Sequence, residues 1–151
     1  MRTSIISIAL LLCACGAPTQ APTELEAGPR ITISEAFASP TPGGVDVSAG
    51  YLTIANGGGE ADRLTGAASP RAARVEMHTM SMNGGVMEMR QIDFADIPAG
   101  GTTSFAPGGN HLMFTGVTTP FAVGEEIPVT LTFERAGTIE ARVHRVCCSI
   151  V

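Results

Sequence analysis

His78, Met89, His111 and Met113 are the residues of this chain best suited to chemistry, and they are spaced His-x10-Met-x21-His-x-Met. Two imidazoles and two thioethers, with no thiolate or carboxylate inserted between them, make an unusual donor set. Thioethers are soft and uncharged, so they suit Cu(I) and bind Zn(II), Mg(II) or Ca(II) poorly. Methionine is ordinarily a filler of hydrophobic cores. The set therefore means something only if the fold gathers it in one place.

The elements that must do so can be read from the flanking residues. Val75 to Arg90 contains Asn83-Gly84-Gly85 between two alternating runs. Asn-Gly is the strongest short hairpin signal, because a type I′ turn needs positive φ at both central residues. A turn at Asn83-Gly84 is thus expected, with Met80 facing Met87 and His78 facing Met89, their Cβ atoms roughly 4.5–5.5 Å apart. A turn at Gly84-Gly85 would instead set Met89 against Met80, leaving His78 a diagonal neighbour. Either register keeps His78 and Met89 on one face, because the side-chain period is two. Glu76 and Glu88 are expected on the opposite strand faces. Further along, the Gly108-Gly109 turn leads into Asn110-His111-Leu112-Met113, where residues two apart point the same way. By themselves Met80, Met82 and Met87 read as hydrophobic packing.

The motif and its surroundings resemble the PCu(A)C family of periplasmic copper chaperones, whose signature is His, ten residues, Met, twenty-one residues, His-x-Met. All four positions are filled without a gap. Further blocks resemble the family in its own order: Gly50–Asn56, Ala61–Leu64, Ala72–His78, Ile97–Gly101 and Leu131–Glu134. The resemblance runs from about Arg30 to Val143. It implies a cupredoxin-like β-sandwich of Greek-key type, all-β and single-domain, with copper, chiefly Cu(I), on His78, Met89, His111 and Met113. It also implies delivery of copper to respiratory cytochrome c oxidase, through an oxidase subunit or a thioredoxin-fold assembly factor.

The N-terminus points to export. Arg2 precedes an apolar run, Ile5 to Leu12, too short to span a bilayer and the right length for a signal-peptide core. It ends in Leu12-Cys13-Ala14-Cys15-Gly16, which resembles a bacterial lipoprotein processing site. Residues 1–14 are then a signal peptide, and Cys15 carries the lipid. Cys13 fits worse, since Leu12 would occupy the position that wants a small side chain. An ordinary secretory signal or a misplaced start codon are the alternatives. Residues 15–29, with three prolines and little to bury, read as a tether reaching roughly 20 Å as a coil and about 40 Å if extended. The expected location is the bacterial cell envelope, facing the periplasm, with Gly16 a weak pointer to the outer membrane.

Residues 30–146 amount to one domain. Short alternating runs are expected as strands: Arg30–Phe37, Val45–Asn56, Ala72–Met82, Val86–Ile92, Thr102–Phe105, His111–Thr115, Ile127–Glu134 and Thr138–Val146. Eighteen glycines, ten prolines and the lack of any helical period fit a sandwich or barrel. The net charge is −5 with no lysine, a poor basis for nucleic-acid binding. A monomer is expected. In the tail, residues 147–151, Cys147 and Cys148 stand near the third histidine, His144. A neutral frayed end, a disulfide in an oxidising compartment and an auxiliary copper or redox site all remain open there.

Other chemistries fit less well. A blue-copper centre needs a Cys thiolate with two His, usually followed on a loop by His and Met, whereas only a short tail follows Cys148. Thioether ligands do not support a water-activating Lewis acid. No His-Glu-x-x-His or Gly-x-Ser-x-Gly pattern is present. A copper carrier rather than an enzyme is the reading. Copper buffering at the envelope without a dedicated acceptor is the alternative, and a purely structural lipoprotein comes third.

Overall fold

A computed structural model describes residues 28–41 and 45–145. The signal peptide, Cys15, most of the tether, Cys147 and Cys148 lie outside the described residues. Among the described residues ten strands carry the fold: β1 (Ile31–Ala38), β2 (Val47–Asn56), β3 (Asp62–Ala68), β4 (Arg74–Asn83), β5 (Val86–Gln91), β6 (Ala95–Ile97), β7 (Thr102–Phe105), β8 (Asn110–Thr115), β9 (Glu126–Phe133) and β10 (Thr138–Arg145). They run in the order β5-β4-β8-β2-β1-β10-β9-β3-β6, with β7 paired to the far half of β2. A bridge between Ala67 on β3 and Val75 on β4 brings the two ends of this path together. The sheet therefore closes on itself into two layers, one containing β4, β8 and β2 and the other β10, β9 and β3.

Alternation explains the core. Along β2, Ser48, Gly50, Leu52, Ile54 and Asn56 point inward, and Val47, Ala49, Tyr51, Thr53 and Ala55 point outward. Leu64, Ile97, Phe105, Leu112, Phe114, Ile127, Leu131 and Val143 meet the inward row from the other strands and are essentially sealed from water. Burying each such side chain contributes about 1.5–3 kcal/mol. Asp62 also points inward, and its carboxylate accepts the backbone N–H groups of Arg63, Arg135 and Ala136 at 2.7–2.9 Å. Those bonds offset the cost of burying a charge.

The β4–β5 hairpin turns at Gly84-Gly85, not at Asn83-Gly84. Asn83 pairs with Val86, and the two glycines take φ of 59° and 85°. A type I′ turn puts both central residues in the left-handed region, where a side chain costs about 1–2 kcal/mol per residue. Two glycines satisfy that condition more cheaply than Asn-Gly, so the turn moves one residue along. As a result Met89 faces Met80, Met87 faces Met82, and His78 faces Gln91.

Candidate metal centre

Strand β4 lies between β5 and β8, so its outward residues have neighbours on both sides. On the β8 side, His78 sits directly across from His111, and Glu76 across from Met113. On the β5 side, Met89 is one row beyond His78, opposite Met80. The four predicted donors thus share one face of three adjacent strands. The histidines form the central cross-strand pair, with ring centroids 5.8 Å apart. Met113 lies two residues along β8 on one side of that pair. Met89 lies diagonally across it on the other side, opposite Met80, which is two residues from His78 along its own strand.

Each imidazole has one nitrogen committed and one left over. His111 Nδ1 lies 3.1 Å from the Gly109 carbonyl oxygen, which can only accept, so Nδ1 carries the proton and donates. The same oxygen accepts the Met80 N–H at 3.0 Å, using both its lone pairs. The Nε2 lone pair of His111 is thereby left for another partner, the arrangement usual for a metal-ligating histidine. His111 is buried, only 3% exposed, with Tyr51 on one flank at a centroid distance of 6.5 Å. Phe37 continues the aromatic row 5.0 Å beyond Tyr51.

His78 is arranged in the same way from the opposite nitrogen. Its Nε2 lies 3.3 Å from Glu76 Oε2, and Arg74 donates to the other carboxylate oxygen at 3.1 Å. The hydrogen bond from His78, followed by that from Arg74, holds the Glu76 carboxyl below its ordinary pKa. Glu76 is therefore an ionised acceptor, and the ring nitrogen facing it, His78 Nε2, is the one that carries a proton and donates. His78 Nδ1 is left buried without a hydrogen-bond partner, the one such side-chain atom among the described residues. A buried, unpaired ring nitrogen calls for an explanation, and a bound ion supplies one.

Glu76 corrects the sequence reading, which set it on the face opposite the ligands. Residues two apart on a strand share a face, so Glu76 lies with His78, and that spacing was the signal that could have found it. Glu88 does lie on the other face, paired with Ser81 and bonded to Arg90 at 2.8 Å. Among the described residues no group of three His, Cys, Asp or Glu could hold a metal ion. An ion on this histidine pair would have to complete its coordination with thioethers. His144, on β10, is exposed and lies 3.9 Å from Glu126, away from the pair.

A family model described as "Putative lipoprotein LpqE-like" matches residues 31–144. A protein named "Putative lipoprotein Lxx21020", from Leifsonia xyli subsp. xyli (strain CTCB07), is 31% identical over 139 residues, spanning 90% of this chain and 82% of its own length. Among solved structures, the copper-bound PCuAC domain from PmoF2 superposes with a TM-score of 0.68 at 22% identity, covering 83% of this chain and 99% of that domain. The solution structure of CuI-DR1885 from Deinococcus radiodurans gives 0.59 at 28% identity, covering 76% of this chain and 78% of that one. The cupredoxin-like β-sandwich expected from the resemblance is the observed fold.

Proposed function

This chain belongs to the LpqE-like lipoprotein family and has the fold of the PCuAC domains, and from these premises we propose that it carries copper. Its cargo is chiefly Cu(I), held by His78, Met89, His111 and Met113. The observation that carries this reading is the directly opposed His78/His111 pair, in which each ring keeps one uncommitted nitrogen. Thioethers stand on the same face on either side. Neutral donors need not lose a charge-bearing proton to bind a monovalent soft ion, which separates them from thiolate sites. Met89, 47% exposed beside the buried histidines, gives an acceptor's ligands a point of entry from which to replace these one by one. The role is carriage rather than catalysis.

Glu76 acts through His78. By accepting the Nε2 proton it fixes the tautomer and the ring orientation, as carboxylates do behind metal-bound histidines. The four ligands are tested by anaerobic Cu(I) titration of the purified protein against a chromophoric chelator. Met113→Leu removes one sulfur with little change of shape and is expected to weaken binding by at least the roughly 10–100-fold that loss of a supporting group costs. An unchanged affinity would remove Met113 from the site.

The proposed setting is the periplasmic side of the bacterial envelope. The domain of residues 30–146 hangs there on a tether of residues 15–29, lipidated at Cys15 after removal of residues 1–14. Delivery goes to the copper centre of a respiratory oxidase, directly to its subunit or through a thioredoxin-fold assembly factor. A deletion strain should lose oxidase activity, recover it with added copper, and recover it fully with the wild-type chain. Complementation by Cys15→Ala should leave the protein in the soluble fraction. Copper sensitivity with normal oxidase activity would instead mark a buffer without an acceptor. A Cys15→Ala protein that stays with the membrane would refute the anchor.

A further inference from the structure

The shifted hairpin register creates a feature that the four-ligand site does not use. Met80 and Met89 form one directly opposed pair, and Met82 and Met87 form the next, nearer the turn. All four thioethers lie on the same face as His78. The neighbours on the other face are Thr79, Ser81, Glu88 and Arg90, so no charged side chain interrupts the methionine rows. Exposure rises toward the tip: Met80 is half-buried, Met89 is 47% exposed, and Met87 and Met82 are 60% and 69% exposed.

This is a poor arrangement for packing, since methionine usually fills gaps inside a core and nothing among the described residues buries Met82 or Met87. It is a good one for a soft ion. Directly opposed side chains have Cβ atoms about 4.5–5.5 Å apart, so the flexible thioethers of one pair can reach a single ion between them. Successive rows are about 6–7 Å apart along the strands. The Met82/Met87 row leads to the Met80/Met89 row, and that row leads to His78 and its partner His111.

We propose that Met82 and Met87 form a second, weaker Cu(I) site at the hairpin tip, which passes the ion through Met80 and Met89 to the histidine pair. The step is ligand exchange alone: one sulfur leaves as the next arrives, and the metal stays Cu(I). Neutral thioethers without a nitrogen hold the ion loosely enough to release it. The histidine pair, with its two nitrogen donors, holds it more firmly. This proposal rests on the copper reading above, and its test separates the two.

The experiment is an anaerobic Cu(I) titration of the purified protein with 13C-methyl-labelled methionine, followed by NMR and by stopped-flow loading from a chromophoric Cu(I) chelator. The first equivalent should shift the Met113 and Met89 methyls, and a second should shift Met82 and Met87. The double variant Met82→Leu/Met87→Leu, which conserves volume at exposed positions, should keep the affinity for the first equivalent. It should lose the second equivalent and load several-fold more slowly. Silent Met82 and Met87 methyls, or a double variant that loads as fast as wild type, would overturn the relay while a shifted Met113 methyl keeps the four-ligand site. If Met113 is silent as well, the copper reading itself fails and takes the relay with it.

Discussion

Replacing His111 by alanine is expected to abolish tight Cu(I) binding, with a loss larger than the 10–100-fold or so that follows removal of a group behind a ligand. His111 is the most constrained of the four proposed donors. Its Nδ1–H is tied to the Gly109 carbonyl, its ring is buried, and His78 and Tyr51 flank it. The Nε2 lone pair is thus fixed in place before the ion arrives, and little ordering entropy remains to be lost on binding. The substitution should spare the fold, because the Gly109 oxygen still accepts the Met80 N–H and the inward neighbours Leu112 and Phe114 are untouched. A thermal melt makes the comparison sharp. Cu(I) at a hundred times its dissociation constant should stabilise the wild type by about 2.7 kcal/mol, and the variant should show no shift. Chelator competition giving the same affinity for both proteins would rule His111 out as a ligand.

Much of this arrangement was legible in the sequence, and the gaps have physical causes. Eight strands follow from alternation and turn residues. The other two, β3 and β6, break the rule that finds strands. In β3 the inward position at the start is Asp62, a charge made tolerable by backbone N–H groups from residues far along the chain. Beyond Leu64 the pairing with β9 shifts register before Gly66, and only Gly66, Ala67 and Ala68 remain to signal apolarity. Strand β6 has three residues, too few for a period to show. The His111/Met113 relation comes from strand parity alone, whereas His78 stands across from His111 because β4 pairs with β8, a contact between distant segments that parity does not supply. The place of Met89 depended on a turn that could slip by one residue, and the second glycine decided it. Parity also put Glu76 beside His78, although the sequence reading misplaced it. What no local pattern could reveal is which ring nitrogen each histidine spends on the protein. That depends on the Gly109 carbonyl and the Glu76 carboxylate as folded.

Phe114→Ala should destabilise the domain by about 3–5 kcal/mol and weaken copper binding with it, although Phe114 is not itself a proposed ligand. On β8 the parity that sends His111 and Met113 outward sends Leu112 and Phe114 into the core, where both are fully buried. The Phe114 ring meets Phe121 edge-on at 5.6 Å. On β2 it packs so closely over Gly50 that a Cβ there would lie 2.6 Å from the ring. The ring therefore fixes how β8 lies between β2 and β4, which pair with its two edges. Removing it leaves a cavity that a closed two-layer sheet can fill only by moving a strand. Against a typical total stability of about 5–15 kcal/mol, such a loss is severe. Strand β8 carries two of the four proposed donors, so a shift of it would take His111 out of alignment with His78. Urea unfolding measures the first effect as a lower midpoint at unchanged slope. Chelator competition on the folded fraction measures the second. Phe114→Leu, which keeps most of the volume, should show smaller changes in both. If Phe114→Ala were destabilised as expected yet bound Cu(I) as tightly as wild type, the site would not depend on the register that β8 imposes. The opposed histidine pair would then lose its standing as the feature that holds the ion.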